Sequence, residues 1–125
     1  MDVICKAMHT ESNELCYITK ENDIKYFISD EELEEESKVP YINVDDYNEE
    51  ENHIVGKYKH FKGDDYEVLG IAYDTSKNKY VFYKALYERD IKYFVRPFDM
   101  FFSEVDKEKY PDVEQKMRFE KIEEN

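Results

Sequence analysis

Residues 81–87 read Val81-Phe82-Tyr83-Lys84-Ala85-Leu86-Tyr87, a run dominated by aromatic and β-forming side chains. Such a composition predicts a strand. Downstream, Ile91-Lys92-Tyr93-Phe94-Val95 has the same character, and upstream so does Tyr66-Glu67-Val68-Leu69-Gly70-Ile71-Ala72. Between two of these runs, Asp74-Thr75-Ser76-Lys77-Asn78 is a cluster of turn formers. After the break at Pro111, Met117-Arg118-Phe119-Glu120-Lys121-Ile122 reads as a closing strand. The fold class expected is therefore mostly β.

Two short helices accompany the strands. Ser29-Asp30-Glu31-Glu32 fits a capping box, with Ser29 as N-cap and Glu32 reaching back. Pro97-Phe98-Asp99-Met100-Phe101 puts proline at a predicted N1 position. Residues 37–52 contain Pro40 and the run Asp45-Asp46-Tyr47-Asn48-Glu49-Glu50-Glu51, which reads as a linker or exposed loop.

The chain repeats itself. Asp23-Ile24-Lys25-Tyr26-Phe27 recurs as Asp90-Ile91-Lys92-Tyr93-Phe94, and Glu21 matches Glu88 at the same offset. With a two-residue slip, Val3, Ala7, Thr10 and Asn13 match Val68, Ala72, Thr75 and Asn78. Downstream, Leu33 falls on Met100 within the two predicted helices. A match running through strand, turn, strand, strand and helix predicts an internal duplication of a strand-strand-strand-helix unit. Residues 3–36 should superpose on 68–103, and the architecture should be one or two small antiparallel barrels.

A length of 125 residues suits one domain, or two very small ones sharing a core. Twelve Tyr and 8 Phe, with 41% hydrophobic residues, exclude a wholly disordered chain. Met1-Asp2-Val3-Ile4-Cys5-Lys6 shows no secretory signal, and no apolar run approaches the roughly 20 residues that span a bilayer. Cys5 and Cys16 are too few for a disulfide scaffold. The expectation is a cytoplasmic protein with two free thiols. Fifteen Lys against 3 Arg, with abundant Asn, Ile, Tyr and Glu, hint at a low-GC bacterium or its phage.

The net charge of −13 is unevenly spread. Residues 1–52 carry 16 Asp/Glu against 4 Lys, whereas residues 53–125 carry 15 Asp/Glu against 14 Lys/Arg. So acidic a chain should not bind duplex nucleic acid through bulk electrostatics. The runs 30–36 and 45–51 could dock on a basic protein partner, through Asp30, Glu31, Glu34, Glu35, Asp45, Asp46, Glu49 and Glu50.

Few residues signal chemistry. Gly56, Gly63 and Gly70 form no phosphate-cradling pattern and read as turns and a strand bulge. His9, His53 and His60 have no metal-binding spacing, so neither metal nor cofactor is expected. Cys5 and Cys16 would lie nearly opposite each other in a hairpin turning at Thr10 and Glu11. Arg96 stands at a strand-to-helix corner. It could offer a guanidinium fork to a carboxylate or phosphate, with Tyr93 and Phe94 alongside, or pin loop carbonyls. The candidate ligand-binding set is Arg96, His60, Tyr58, Tyr93, Phe94 and Lys62.

Residues 54–122 resemble the bacterial domain-of-unknown-function family 1653. The resemblance is carried by Gly56-Lys57-Tyr58-Lys59-His60-Phe61-Lys62-Gly63, by Tyr66 to Ala72, and by Tyr83-Lys84-Ala85-Leu86-Tyr87. It continues through Val95-Arg96-Pro97-Phe98-Asp99-Met100-Phe101 and Glu104-Val105. It implies a compact, mostly antiparallel small barrel and no named reaction. Two departures stand out. Tyr73 and Asp74 replace an Ala-Arg-His element that usually follows the second strand, and Lys84 replaces an arginine. The domain organisation expected is a diverged acidic copy over 1–36, a linker over 37–53 and the family-like barrel over 54–122.

The function expected first is a non-catalytic binding protein whose acidic half contacts a basic partner, as an inhibitor or accessory factor. The alternative is a protein binding a nucleotide-like or other anionic small molecule near Arg96. An enzyme ranks third, since no acid–base or nucleophile constellation is visible.

Overall fold

Pairing is antiparallel within each half of the chain and parallel where the halves meet. The computed structural model describes residues 3–21, 25–29, 54–74, 76, 78–88 and 92–122. The strands are β1 (Val3–His9), β2 (Leu15–Glu21), β3 (Lys25–Ser29), β4 (Gly56–His60), β5 (Asp65–Tyr73), β6 (Lys79–Ala85), β7 (Tyr93–Pro97) and β8 (Phe119–Lys121). One short helix is present among the described residues, α1 (Phe98–Phe101). The strands form a single sheet in the order β3-β2-β1-β7-β6-β5-β4-β8, and β3 pairs in addition with β5. The sheet thus curls into a partial ring of β1, β2, β3, β5, β6 and β7, with β4 and β8 continuing outside it.

The ring contains two meanders and two seams. In the first meander, Val3 pairs Thr19 and Cys5 pairs Ile18, with a bulge between Val3 and Cys5. In the second, Val68 pairs Tyr83 and Gly70 pairs Phe82, with a bulge between Val68 and Gly70. Ile18 faces Ile28 on β3, and Phe82 faces Val95 on β7. One seam joins Phe27 to Tyr73, and the other joins Phe94 to Met8.

Burial explains the strand composition. Ala7, Cys16, Ile18, Ile28, Ala72, Phe82 and Val95 form one buried cluster drawn from all six ring strands. On the opposite face of the second meander, Val68, Val81, Tyr83, Ala85 and Phe94 pack under Tyr58, Phe101 and Phe119. Strand β6 is thus covered on both faces, which is why residues 81–85 run apolar without strict alternation.

Several expectations need correction. Pro97 does not occupy N1 of α1. It closes β7 opposite Tyr80 and serves as the N-cap, with φ −49° and ψ 134°. Its fixed φ suits an extended residue ahead of a helix. Ser29 ends β3 opposite Tyr17, and the rest of the predicted capping box lies outside the described residues. Both cysteines are free thiols, but they are not cross-strand partners. Cys16 faces Ala7 and Cys5 faces Ile18. The hairpin turns one residue later than predicted, closed by His9 N–H to Glu14 O (2.9 Å) and Asn13 N–H to His9 O (2.9 Å). Asn13 adopts φ 60° to make that turn. Finally, the halves share one sheet, and both seams between them are parallel.

Candidate anion-binding site

Strand alternation decides which side chains accompany Arg96. Along β7, Phe94 and Arg96 point to one face, while Tyr93 and Val95 point to the other. Tyr93 therefore stacks on Phe82 across the sheet (centroids 5.9 Å apart, 24° between planes), away from Arg96. Arg96 pairs Val81, so Tyr83 is its diagonal neighbour on the same face. Arg96 Nε donates to the Tyr83 hydroxyl (3.2 Å), and its guanidinium carbon lies 5.6 Å from the Phe119 ring centre.

The turn after β4 carries Lys62, and the loop after α1 carries Lys109 and Arg118. Asp106 Oδ1 accepts from the backbone N–H of Glu108 (3.0 Å) and Lys109 (3.3 Å), setting the turn that presents Lys109. Lys107 Nζ bonds the carbonyls of Val113 and Gln115. Gln115 Nε2 donates to Lys59 O (2.9 Å) and Met117 O (2.8 Å), tying the loop to β4. Arg118 is clipped from both sides: its N–H donates to Ser103 O (2.9 Å) and its carbonyl accepts from Phe61 N–H (3.0 Å). Its Nε donates to Ser103 Oγ (3.2 Å).

These elements enclose a cleft of about 390 Å³ lined by His60, Phe61, Lys62, Arg96, Val105, Asp106, Lys109, Tyr110 and Arg118. Four cations therefore converge on one cleft. Among the described residues, no carboxylate reaches ion-pair distance of any of them. Asp106, the acid in the lining, is engaged with backbone amides. Burial and then the field of Arg96 push the Arg118 pKa down, while Glu11 partly opposes them. Lys62 sits over the rings of Phe61 (5.8 Å) and Tyr110 (5.7 Å).

His60 ends β4 half-buried, with Phe61 (4.5 Å) and Phe119 (4.8 Å) against its ring. Burial first, then the charges of Arg96, Arg118 and Lys62, pull its pKa down to about 4, against a smaller opposing effect of Asp64. His60 Nδ1 accepts the N–H of Lys62 (3.2 Å). A neutral ring that accepts at Nδ1 carries its proton on Nε2 and can donate there.

Of the predicted ligand set, Arg96, His60 and Lys62 come together in the cleft. Phe94, stacked on Tyr83 (5.6 Å, 26°), lines a neighbouring cavity shared with Arg96. Tyr58 is 5% exposed and donates its hydroxyl to Ile54 O (2.8 Å), so it is a core residue outside the cleft. The predicted partner-binding residues Asp30, Glu31, Glu34, Glu35, Asp45, Asp46, Glu49 and Glu50 lie outside the described residues. Sequence reasoning missed Arg118 and Lys109. The rarity of arginine pointed to Arg118 as much as to Arg96, but only the fold brings the two together.

Among the described residues, no group of three or more His, Cys, Asp or Glu side chains could hold a metal ion. Among the same residues, no helix is long and apolar enough to cross a membrane. Fold and site together define a small, mostly β protein with a cationic cleft set against a curled sheet. A family model for proteins of unknown function, DUF1653, matches residues 56–121, more than half of the chain, and the chain belongs to this family. No curated protein and no solved structure matches it. The matched segment contains every residue of the cationic cleft.

Proposed function

We propose that this protein is a non-catalytic binding protein that captures a small anionic ligand on the cations around Arg96. The observation that carries this reading is the convergence of Lys62, Arg96, Lys109 and Arg118 on one cleft without a paired carboxylate among the described residues. Like charges held together repel one another, and an anion with several acceptor oxygens relieves that repulsion through charge-assisted hydrogen bonds. The low basicity of His60 suits a hydrogen-bond donor better than a general base at neutral pH. Burial also pushes the Cys5 thiol up to about 11, which disfavours the nucleophilic thiolate.

The test is a titration of ¹⁵N-labelled protein with inorganic phosphate and pyrophosphate at fixed ionic strength. The amides of His60, Lys62, Lys109 and Arg118 should shift together and saturate. Saturable binding that leaves those amides unmoved would refute the reading.

We further read the ring as a small barrel formed by two copies of one three-stranded unit. Supporting this, the bulges at Val3/Cys5 and Val68/Gly70 fall at the offset of the sequence repeat. The seam pairs Phe27–Tyr73 and Phe94–Met8 are likewise related by that repeat. A second functional reading rests on charge alone: the acidic residues 1–52 contact a basic protein partner. Such a contact should weaken steeply between low and high salt, which a crosslinking series can measure.

A further inference from the structure

We infer that the ligand is bipartite: an aromatic phosphate ester with its phosphate in the cationic cleft and its ring in a second cavity at the β1–β7 seam. This inference rests on the anion-binding reading above.

The second cavity has a volume of about 250 Å³, and its lining includes Met8, Thr10, Asn13, Phe94 and Arg96. Arg96 lines both cavities, so a molecule bound across its guanidinium reaches each. The seam cavity is also where the N-terminal segment adds something new. Met8, Thr10 and Asn13 lie outside the segment matched to the family.

The two seams suggest what the cavity would hold. They share the same local register, Phe27 to Tyr73 at one and Phe94 to Met8 at the other. At the first seam a tyrosine ring fills the space: Tyr73 is 1% exposed against a fully buried Phe27. At the second, the unbranched Met8 stands in the tyrosine's place, and a cavity lies beside it. The space left open therefore has the scale of an aromatic ring. Its walls suit one, since they include three aromatic rings: Phe94 and Tyr83, stacked on one another, and Tyr66, edge-on to both. Thr10 Oγ1 is shut away from solvent and has no hydrogen-bond partner among the described residues, an arrangement that is rare in folded proteins.

Calorimetric titration of the full chain with inorganic phosphate, phenyl phosphate and uridine monophosphate tests the inference. The two ring-bearing esters should bind about tenfold or more tighter than inorganic phosphate. Met8→Tyr, which copies the filled seam, should erase that difference. In the unaltered protein, the Met8 methyl resonance should show a ring-current shift with phenyl phosphate and none with inorganic phosphate, a readout that needs no variant to fold. Equal affinity for all three ligands, or an ester advantage with an unmoved Met8 methyl, overturns the bipartite ligand and leaves the anion site standing. Failure of all three to bind overturns the anion-binding reading itself.

Discussion

Arg96 is both the centre of the proposed anion site and a partner of Tyr83, and its replacement separates the two. Its Nε holds the Tyr83 hydroxyl, and the residue lines both cavities. A bidentate charged contact sheltered from water contributes roughly 1.5–3 kcal/mol. Arg96→Ala should therefore weaken phosphate binding about ten- to a hundredfold. Loss of the Tyr83 bond should cost about 1 kcal/mol of stability, a modest drop in melting temperature. A variant that melts far lower yet keeps its affinity would make Arg96 a structural pin alone. His60 reports the same field. Its folded-state pKa of about 4 lies below the ordinary 6.5, so the native protein binds fewer protons at this site than the unfolded chain. The stability it contributes is complete above pH 6.5 and is lost as the pH falls through 4. NMR titration should find His60 titrating well below 6.5, and phosphate should raise its pKa by offsetting the neighbouring cations. A free-protein value at or above 6.5 would contradict the cleft electrostatics.

At the scale of elements, the seams depend on close backbone approach. A Cβ built on Gly70 would stand 2.7 Å from Tyr26 Cε2, a distance real Cβ atoms essentially never show. Tyr26 is itself packed on Phe82, with centroids 4.9 Å apart, so its ring has little room to retreat. Gly70→Ala should destabilise by about 1–3 kcal/mol through overpacking, measured by chemical denaturation. A neutral result would mean that the bulge absorbs the extra atom. The loop 103–118 works differently, because side-chain bonds from Lys107 and Gln115 to carbonyls hold it in place of regular structure. That is how a segment with little strand or helix can still present Lys109 and Arg118 at fixed positions.

Across the whole molecule, each meander completes what the other lacks. Without β1–β3, the edges of β5 and β7 would lose their seam partners, and Ala72, Phe82 and Val95 would lose the side chains that cover them. A fragment spanning residues 54–125 should therefore self-associate, each copy covering the other's open edges, as analytical ultracentrifugation can show. A monomeric fragment with cooperative unfolding would contradict this account of closure. Charge adds a second division at this scale, since the acidity belongs to residues 1–52 while the cleft cations all follow residue 53.

Much of this was legible in the residues themselves. Strand composition between Tyr66 and Val95 and the turn at Asp74 are local properties, set by side-chain shape and backbone freedom, and they read directly. The family resemblance and the Asp-Ile-Lys-Tyr-Phe repeat likewise needed no coordinates. Arg96 could be singled out by rarity and position, but its companions could not. Tyr93 adjoins it in sequence yet faces away, because successive residues of a strand alternate. Arg118 is 22 positions distant yet shares its cleft, because a loop pinned by Gln115 carries it back to β4. The seam cavity was invisible for the same reason. It exists because Met8 and Phe94, far apart along the chain, are paired by parallel strands, and only that long-range pairing decides whether the space beside them is filled or open.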